Sequence, residues 1–67
     1  MLRPDIGKKI IDRILDNWRF AKKENQKESL ASALKIATEL PDWDTEKDYY
    51  ISSVQKQIDF VESMRPS

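Results

Sequence analysis

Residues 6–21 read IGKKIIDRILDNWRFA, and the apolar side chains in this stretch recur in steps of three and four. This spacing predicts one face of an amphipathic helix, because an α-helix completes a turn every 3.6 residues. Pro4 or Asp5 can open the helix, and Gly7 falls in its first turn, where a glycine costs the helix least. The predicted apolar face consists of Ile6, Ile10, Ile11, Ile14, Leu15, Trp18 and Ala21.

Two further apolar stripes follow along the chain. The second is rotated by about 130° from the first, so one continuous helix would carry a broken face, and a turn is predicted near residues 24–26. Asn25 and Glu28 can form a capping box there, and Pro41 ends the second helix. Thr45 and Asp48 can cap a third helix. The stripes are Leu30, Ala33, Leu34, Ala37 and Leu40, and then Tyr50, Ile51, Val54, Ile58, Val61 and Met64.

The sequence therefore predicts a single all-α domain, a three-helix up-down-up bundle with helices at about residues 5–24, 26–40 and 45–64 and a polar tail at 65–67. A chain of 67 residues without cysteine has a small core and no disulfide to support it. Such domains bury only about 60% of their unfolded surface. Self-association is therefore expected to complete the bundle, and a homodimer is one candidate.

Composition argues against an enzyme. The chain has no His, no Cys and one Gly. It thus lacks the commonest general base, a thiol nucleophile and a glycine-rich phosphate loop. No catalytic residue and no cofactor are predicted. No apolar run exceeds three residues, so we expect no membrane partner and a cytoplasmic location.

The acidic residues 42, 44, 46 and 48 alternate like the start of a calcium-binding loop. Lys47 stands where the loop needs glycine, and Ser53 where it needs a bidentate glutamate, so no metal site is predicted. Acidic side chains at this point instead favour the start of the third helix.

The net charge is zero, but the charges are unevenly distributed along the chain. Residues 1–27 carry eight Lys or Arg and four acidic residues, whereas residues 28–67 carry four and eight. In an up-down-up bundle this predicts a basic end and an acidic end. A basic patch could contact nucleic-acid phosphates, or its cations could simply stabilise the C-terminus of the first helix. The basic patch is Arg19, Lys22, Lys23 and Lys27, and the acidic end carries Glu39, Asp42, Asp44, Glu46 and Asp48.

Several large apolar residues miss the stripes. Phe20 and Ile36 lie more than about 100° from the centres of their stripes, and Tyr49 and Phe60 share one off-stripe side of the third helix. Trp43 lies in the loop after Pro41. These residues either line the edge of the core or bind a partner, with Phe20, Trp43, Tyr49 and Phe60 as the candidate protein-binding residues.

The favoured hypothesis is a non-enzymatic protein-interaction module, namely an adaptor, inhibitor, antitoxin-like protein or assembly factor with an unidentified protein partner. The alternative is a nucleic-acid-binding accessory or regulatory protein that uses the basic end of the first helix. Asp12 and Asp16 share the outer face of that helix and would repel a phosphate backbone, which makes nucleic acid the less favoured partner.

Overall fold

The computed structural model describes residues 3–63, which form three α-helices and no strand. Helix α1 spans Pro4–Asn17, α2 spans Lys23–Thr38 and α3 spans Lys47–Ser63, with a 3₁₀ turn, Trp18–Phe20, after α1. The molecule measures 39 × 17 × 17 Å. The predicted all-α, three-helix class is confirmed.

The helices run up, down and up. Gly7 near the start of α1 lies beside Ile36 and Leu40 near the end of α2. Lys27 at the start of α2 pairs with Glu62 at the end of α3. Each helix therefore runs antiparallel to the next. We call the end that holds Gly7 and the 39–46 connection the loop end, and the end that holds the 3₁₀ turn the turn end.

The predicted break at residues 24–26 is wrong, since the chain reverses earlier. Helix α1 ends at Asn17, and the backbone of Ala21 and Lys22 is extended. The predicted capping box does not form at Asn25, because the residue that precedes α2 is Lys22, which makes no side-chain cap hydrogen bond. A side chain of α2 holds the turn, since Gln26 Nε2 donates to the backbone oxygens of Arg19 and Ala21.

The start of the third helix also differs from the prediction. Helix α3 begins at Lys47, and the side chain that supports its start is Asp44 rather than Thr45. Asp44 Oδ1 accepts the backbone N–H of Glu46 at 2.9 Å. Met64 and the predicted polar tail at 65–67 lie outside the described residues.

The core is built from the predicted stripes. Ile11, Leu30 and Val54 are its largest fully buried side chains. Four residues depart from the prediction: Ile6 is exposed, Ile10 and Ala21 are half-buried outside the core cluster, and Ile36 packs against the core although it lies off its stripe. Ile36 reaches the core because α1 approaches it closely at Gly7. The buried apolar residues are Ile11, Trp18, Leu30, Ala33, Ala37, Leu40, Tyr50, Val54, Ile58 and Val61.

Candidate interaction surfaces

The four candidate protein-binding aromatics all lie on the surface. Phe20 is 84% exposed, Trp43 76%, Tyr49 65% and Phe60 53%, and none of them belongs to the core. Large aromatic side chains are enriched among the residues that dominate binding at protein interfaces. The exposed aromatics are therefore the first candidate site.

The fold does not gather these four residues into one patch. Phe20 lies in the 3₁₀ turn at the turn end, whereas Trp43 lies in the 39–46 connection at the loop end. Tyr49 and Phe60 lie on α3, eleven residues apart on one side and thus about 16 Å apart along the helix. The ring of Tyr49 packs edge-on against that of Tyr50 at a centroid distance of 5.4 Å. The surface thus divides into three separate aromatic features.

The loop end contains the best-organised charges in the described part of the chain. Lys8 Nζ lies 2.6 Å from Asp44 Oδ2 and donates to Glu46 Oε1 at 3.0 Å. Asp44 is 8% exposed, and it also receives the N–H of Glu46. The hydrogen bond from Lys8 holds the pKa of Asp44 below its usual value, and its two acceptors raise the pKa of Lys8. This cluster ties the start of α1 to the start of α3.

A second contact joins the same two helices one turn further on. Tyr50 is buried, and its hydroxyl donates to Asp12 Oδ2 at 3.3 Å. Burial raises the pKa of Tyr50, and the neighbouring carboxylate of Asp12 adds to this effect. The parallel helices α1 and α3 are therefore joined by polar contacts, whereas each packs its apolar face against α2.

The pairing of charges changes the predicted charge segregation. At the loop end, Lys8 neutralises the Asp44 and Glu46 pair in part, and Lys47 pairs with Asp42 at 2.7 Å and lowers the pKa of that carboxyl. At the turn end, Glu62 pairs with Lys27. The up-down-up fold brings Lys8 of α1 to the acidic end and Glu62 of α3 to the basic end, so each end carries paired charges of both signs.

Two carboxylates of the segment that resembles a calcium-binding loop form ion pairs with lysines. Asp42 and Asp44 each face a lysine ammonium group rather than one another. Within residues 3–63, no three acidic, His or Cys side chains are grouped in a way that could hold a metal ion.

The predicted basic patch is exposed at the turn end, where Arg19 also lies over the ring of Trp18 at 5.8 Å. The explanation that these cations stabilise the C-terminus of α1 does not hold for Lys22, Lys23 and Lys27, which lie beyond the turn; only Arg19 lies in the 3₁₀ turn that continues α1. Lys22 instead precedes α2, and Lys23 is its first residue. Cations at this end of a helix oppose its dipole. The positions of Lys22 and Lys23 thus have no explanation in helix stability.

Sequence analysis missed an open groove of about 490 Å³ beside the turn end, lined by Arg13, Ile14, Asn17, Trp18, Ala21 and Ser29. Trp18 is buried, and its Nε1 has no hydrogen-bond partner among the described residues. A smaller cavity of about 90 Å³ lies at the loop end around Gly7. Neither feature could be found from sequence, because each depends on how α1 and α2 cross.

Comparison with known proteins gives no guide to function, since no family model, curated protein or solved structure matches the chain. Within residues 3–63, no helix has the length and apolar character needed to cross a membrane.

Proposed function

We propose that this protein is a non-enzymatic protein-interaction module that binds through its exposed aromatic and charged helical surface. The observation that carries the proposal is that four aromatic side chains are 53–84% exposed and that none of them belongs to the core. Large aromatic residues dominate the energetics of many protein interfaces. An adaptor, inhibitor, antitoxin-like protein or assembly factor fits this arrangement, and its cytoplasmic location stays a prediction.

The surface also has the rigidity that a binding module needs. Tyr49 and Phe60 project from α3, whose opposite side is anchored by the buried Val54 and Ile58. An aromatic side chain on a packed helix loses little conformational freedom when it is covered, so more of the contact free energy contributes to affinity.

Affinity capture with immobilised full-length chain tests the proposal. Phe20→Ala, Trp43→Ala, Tyr49→Ala and Phe60→Ala are each compared with the native chain, and Ser32→Ala is the control at an exposed polar position. We expect at least one aromatic variant to lose about tenfold or more in affinity for a captured protein. If all four variants bind like the native chain and the control, the aromatic surface is not the binding site.

A second candidate function is nucleic-acid binding at the turn end, and the placement of Lys22 and Lys23 at the start of α2 favours it. Exposed Phe20 offers a stacking platform beside these lysines and Arg19. Single strands are bound by this combination of stacking and phosphate contacts.

Fluorescence anisotropy with a labelled single-stranded oligonucleotide at low salt tests this candidate. The double variant Lys22→Ala/Lys23→Ala should bind more weakly, whereas Lys9→Ala/Lys56→Ala, which removes the same charge elsewhere, should bind like the native chain. An absence of binding at low salt excludes the candidate.

A further inference from the structure

We propose that the open groove beside the turn end binds a small organic acid, whose carboxylate is held by donors on α1 and α2 and whose apolar part packs against the groove wall. This inference goes beyond the proposed function, because none of the four exposed aromatics lines the groove. It follows from the volume of the groove and from three hydrogen-bond donors in it that have no acceptor within residues 3–63.

The groove has the size and the lining of a small-molecule site. Its volume is about 490 Å³, and pockets that hold small ligands measure about 300–1,000 Å³. One side is formed by α1 and the turn that follows it, and α2 contributes Ser29 to the other. Ile14 and Ala21 are half-buried there, whereas Arg13 and Asn17 are exposed. The groove therefore places an apolar wall beside polar groups, as an amphipathic ligand requires.

The buried indole of Trp18 is the observation that points to an acceptor. Trp18 is 5% exposed and lines the groove. Its Nε1 is the one buried side-chain nitrogen or oxygen in residues 3–63 that makes no hydrogen bond. A buried donor without an acceptor destabilises a fold, and nearly all such donors in proteins are paired. A ligand that brings an acceptor to this indole therefore gains a hydrogen bond that the free protein lacks.

Two further donors in the groove are free. Arg13 forms no ion pair and no side-chain hydrogen bond within the described part of the chain. Ser29 is half-buried on α2, and its hydroxyl makes no hydrogen bond to another of these residues. Asn17 differs, because its Nδ2 already donates to the backbone oxygen of Arg13 at 2.9 Å. The free donors thus come from both helices and line the same groove.

The charge and the number of these donors favour a carboxylate. A guanidinium group binds a carboxylate through two parallel hydrogen bonds, which are stronger than bonds between neutral groups. The two oxygens of a carboxylate have about four lone-pair positions, so one carboxylate can accept from Arg13 and also from an indole N–H or a hydroxyl. Arg13 is the single cation among the residues that line the groove, so it matches the single charge of a carboxylate.

The indole N–H is covered in this structure, so an acceptor must displace a side chain at the rim of the groove to reach it. Arg13 and Asn17 are exposed, and exposed side chains change rotamer within nanoseconds. Because the groove is open, part of the ligand stays in water, which limits the affinity. We expect a dissociation constant of about 1 mM for a small acid.

Nuclear magnetic resonance of the full chain tests the site. The chain has two tryptophans and so two indole N–H signals, and Trp43→Phe leaves only the signal of Trp18. On titration with sodium benzoate, the Trp18 indole proton should move downfield as it gains an acceptor, whereas the signal of Trp43 at the loop end should stay in place. Benzamide has nearly the same shape without the charge, and it should bind about tenfold more weakly.

Matched variants assign the contact with the carboxylate. Arg13→Gln should weaken benzoate binding by about tenfold or more, because it removes the cation of the groove. Lys9→Gln removes one positive charge a turn earlier on α1, outside the groove, and should bind like the native chain. Ser29→Ala should weaken binding by a smaller factor, since it removes a neutral donor. Circular dichroism checks that each variant keeps its helices.

Three results would overturn the proposal: a Trp18 indole signal that does not move with benzoate, equal binding of benzoate and benzamide, or equal binding by Arg13→Gln and Lys9→Gln. A peptide whose C-terminal carboxylate binds in the groove more tightly than benzoate would also overturn it, because the ligand would then be a protein. Benzoate binding that survives Trp43→Ala and Phe60→Ala would support a site separate from the proposed protein-binding surface. Protein capture is measured without benzoate, so failure of this site and failure of the proposed function are distinguishable.

Discussion

The two ends of the bundle hold their charges differently. At the loop end, Lys8 contacts the buried Asp44, which also supports the start of α3. At the turn end, Lys27 and Glu62 are both about half exposed. Lys22 precedes α2 there without any side-chain cap. Polar groups at the loop end therefore have structural partners, whereas the cations at the turn end face solvent.

This difference suggests that the charges at the loop end stabilise the fold and that the cations at the turn end are available for binding. Lys8 and Asp44 at the loop end hold α1 to the start of α3, so removal of Asp44 should lower the stability of the fold. Lys22 and Lys23 at the turn end oppose the dipole of α2, so removal of their charges should stabilise the fold. Residues that lower the stability of a fold are retained most readily where they serve another role, such as binding a partner.

The largest expected loss of stability comes from Gly7→Leu, which places a large side chain at the loop end. A Cβ atom at Gly7 would already lie 3.2 Å from Ile36 Cγ2 and 3.7 Å from Leu40 Cδ2. A leucine must displace the side chains of Ile36 and Leu40, and overpacking costs about 1–3 kcal/mol. Thermal denaturation should show a melting temperature lower by about 10 °C or more.

Gly7→Ala is the matched control. The helical preference of alanine over glycine is worth about 1 kcal/mol and offsets the tight contact with Ile36, so this variant should melt near the native temperature. If Gly7→Leu also melts there, the side chains of Ile36 and Leu40 leave room for a larger residue at this position.

The next effect tests the polar cluster through Asp44→Ala. This change removes both the partner of Lys8 and the acceptor of the Glu46 N–H, so the melting temperature should fall by about 5–10 °C. Asp44→Asn keeps an acceptor oxygen but loses the charge, and it should show a smaller fall. Equal melting of the native chain and both variants would mean that the cluster contributes nothing.

The pH dependence of the same carboxyl gives an independent check. Because Lys8 holds the pKa of Asp44 below its usual value of 3.8, protons bind the unfolded chain more readily than the folded one. This contribution to stability is complete above that value and is lost as the pH falls through the lower folded value. The difference in melting temperature between the native chain and Asp44→Asn should therefore shrink between pH 5 and about pH 2. A constant difference would contradict the assignment.

The fold class could be predicted from the sequence because apolar residues recur at the spacing of a helix in each of the three helices. The three stripes place Ile11, Leu30 and Val54 in the core, and these three side chains are fully buried. Spacing does not specify the angle at which helices cross, so the sequence predicts only that Gly7 is tolerated in the first turn and not that it lies beside Ile36.

The boundary between α1 and α2 was the main error, because no Gly or Pro marks it. The chain turns after Phe20, and Gln26 holds the turn by donating to the backbone oxygen of Ala21, a contact that sequence periodicity does not predict. The angles of Phe20, Tyr49 and Phe60 to the stripes left open whether they line the core edge or face outward, and the structure shows all three exposed. The Lys8–Asp44 pair could not be predicted, because 36 residues separate its members.

A smaller effect, of opposite sign, is expected at the turn end from Lys22→Ser. A serine that precedes α2 can accept one of the free N–H groups of its first turn, and it also removes a cation from the positive end of the helix dipole. The melting temperature should rise by about 5 °C. Lys9→Ser within α1 is the control and should not rise. A fall for Lys22→Ser would mean that this lysine stabilises the fold, contrary to the comparison.

The smallest effect is expected for Lys27→Ala. Lys27 and Glu62 are both about half exposed, with 3.2 Å between Nζ and Oε1. Exposed ion pairs contribute less than about 1 kcal/mol, since solvent screens the charges and both side chains lose freedom. Chemical denaturation of Lys27→Ala, Glu62→Ala and the double variant should give a coupling free energy below about 0.5 kcal/mol. A coupling well above 1 kcal/mol would mean that this pair fixes the end of α3 as firmly as Asp44 fixes its start, and the two ends would then differ in exposure but not in structural role.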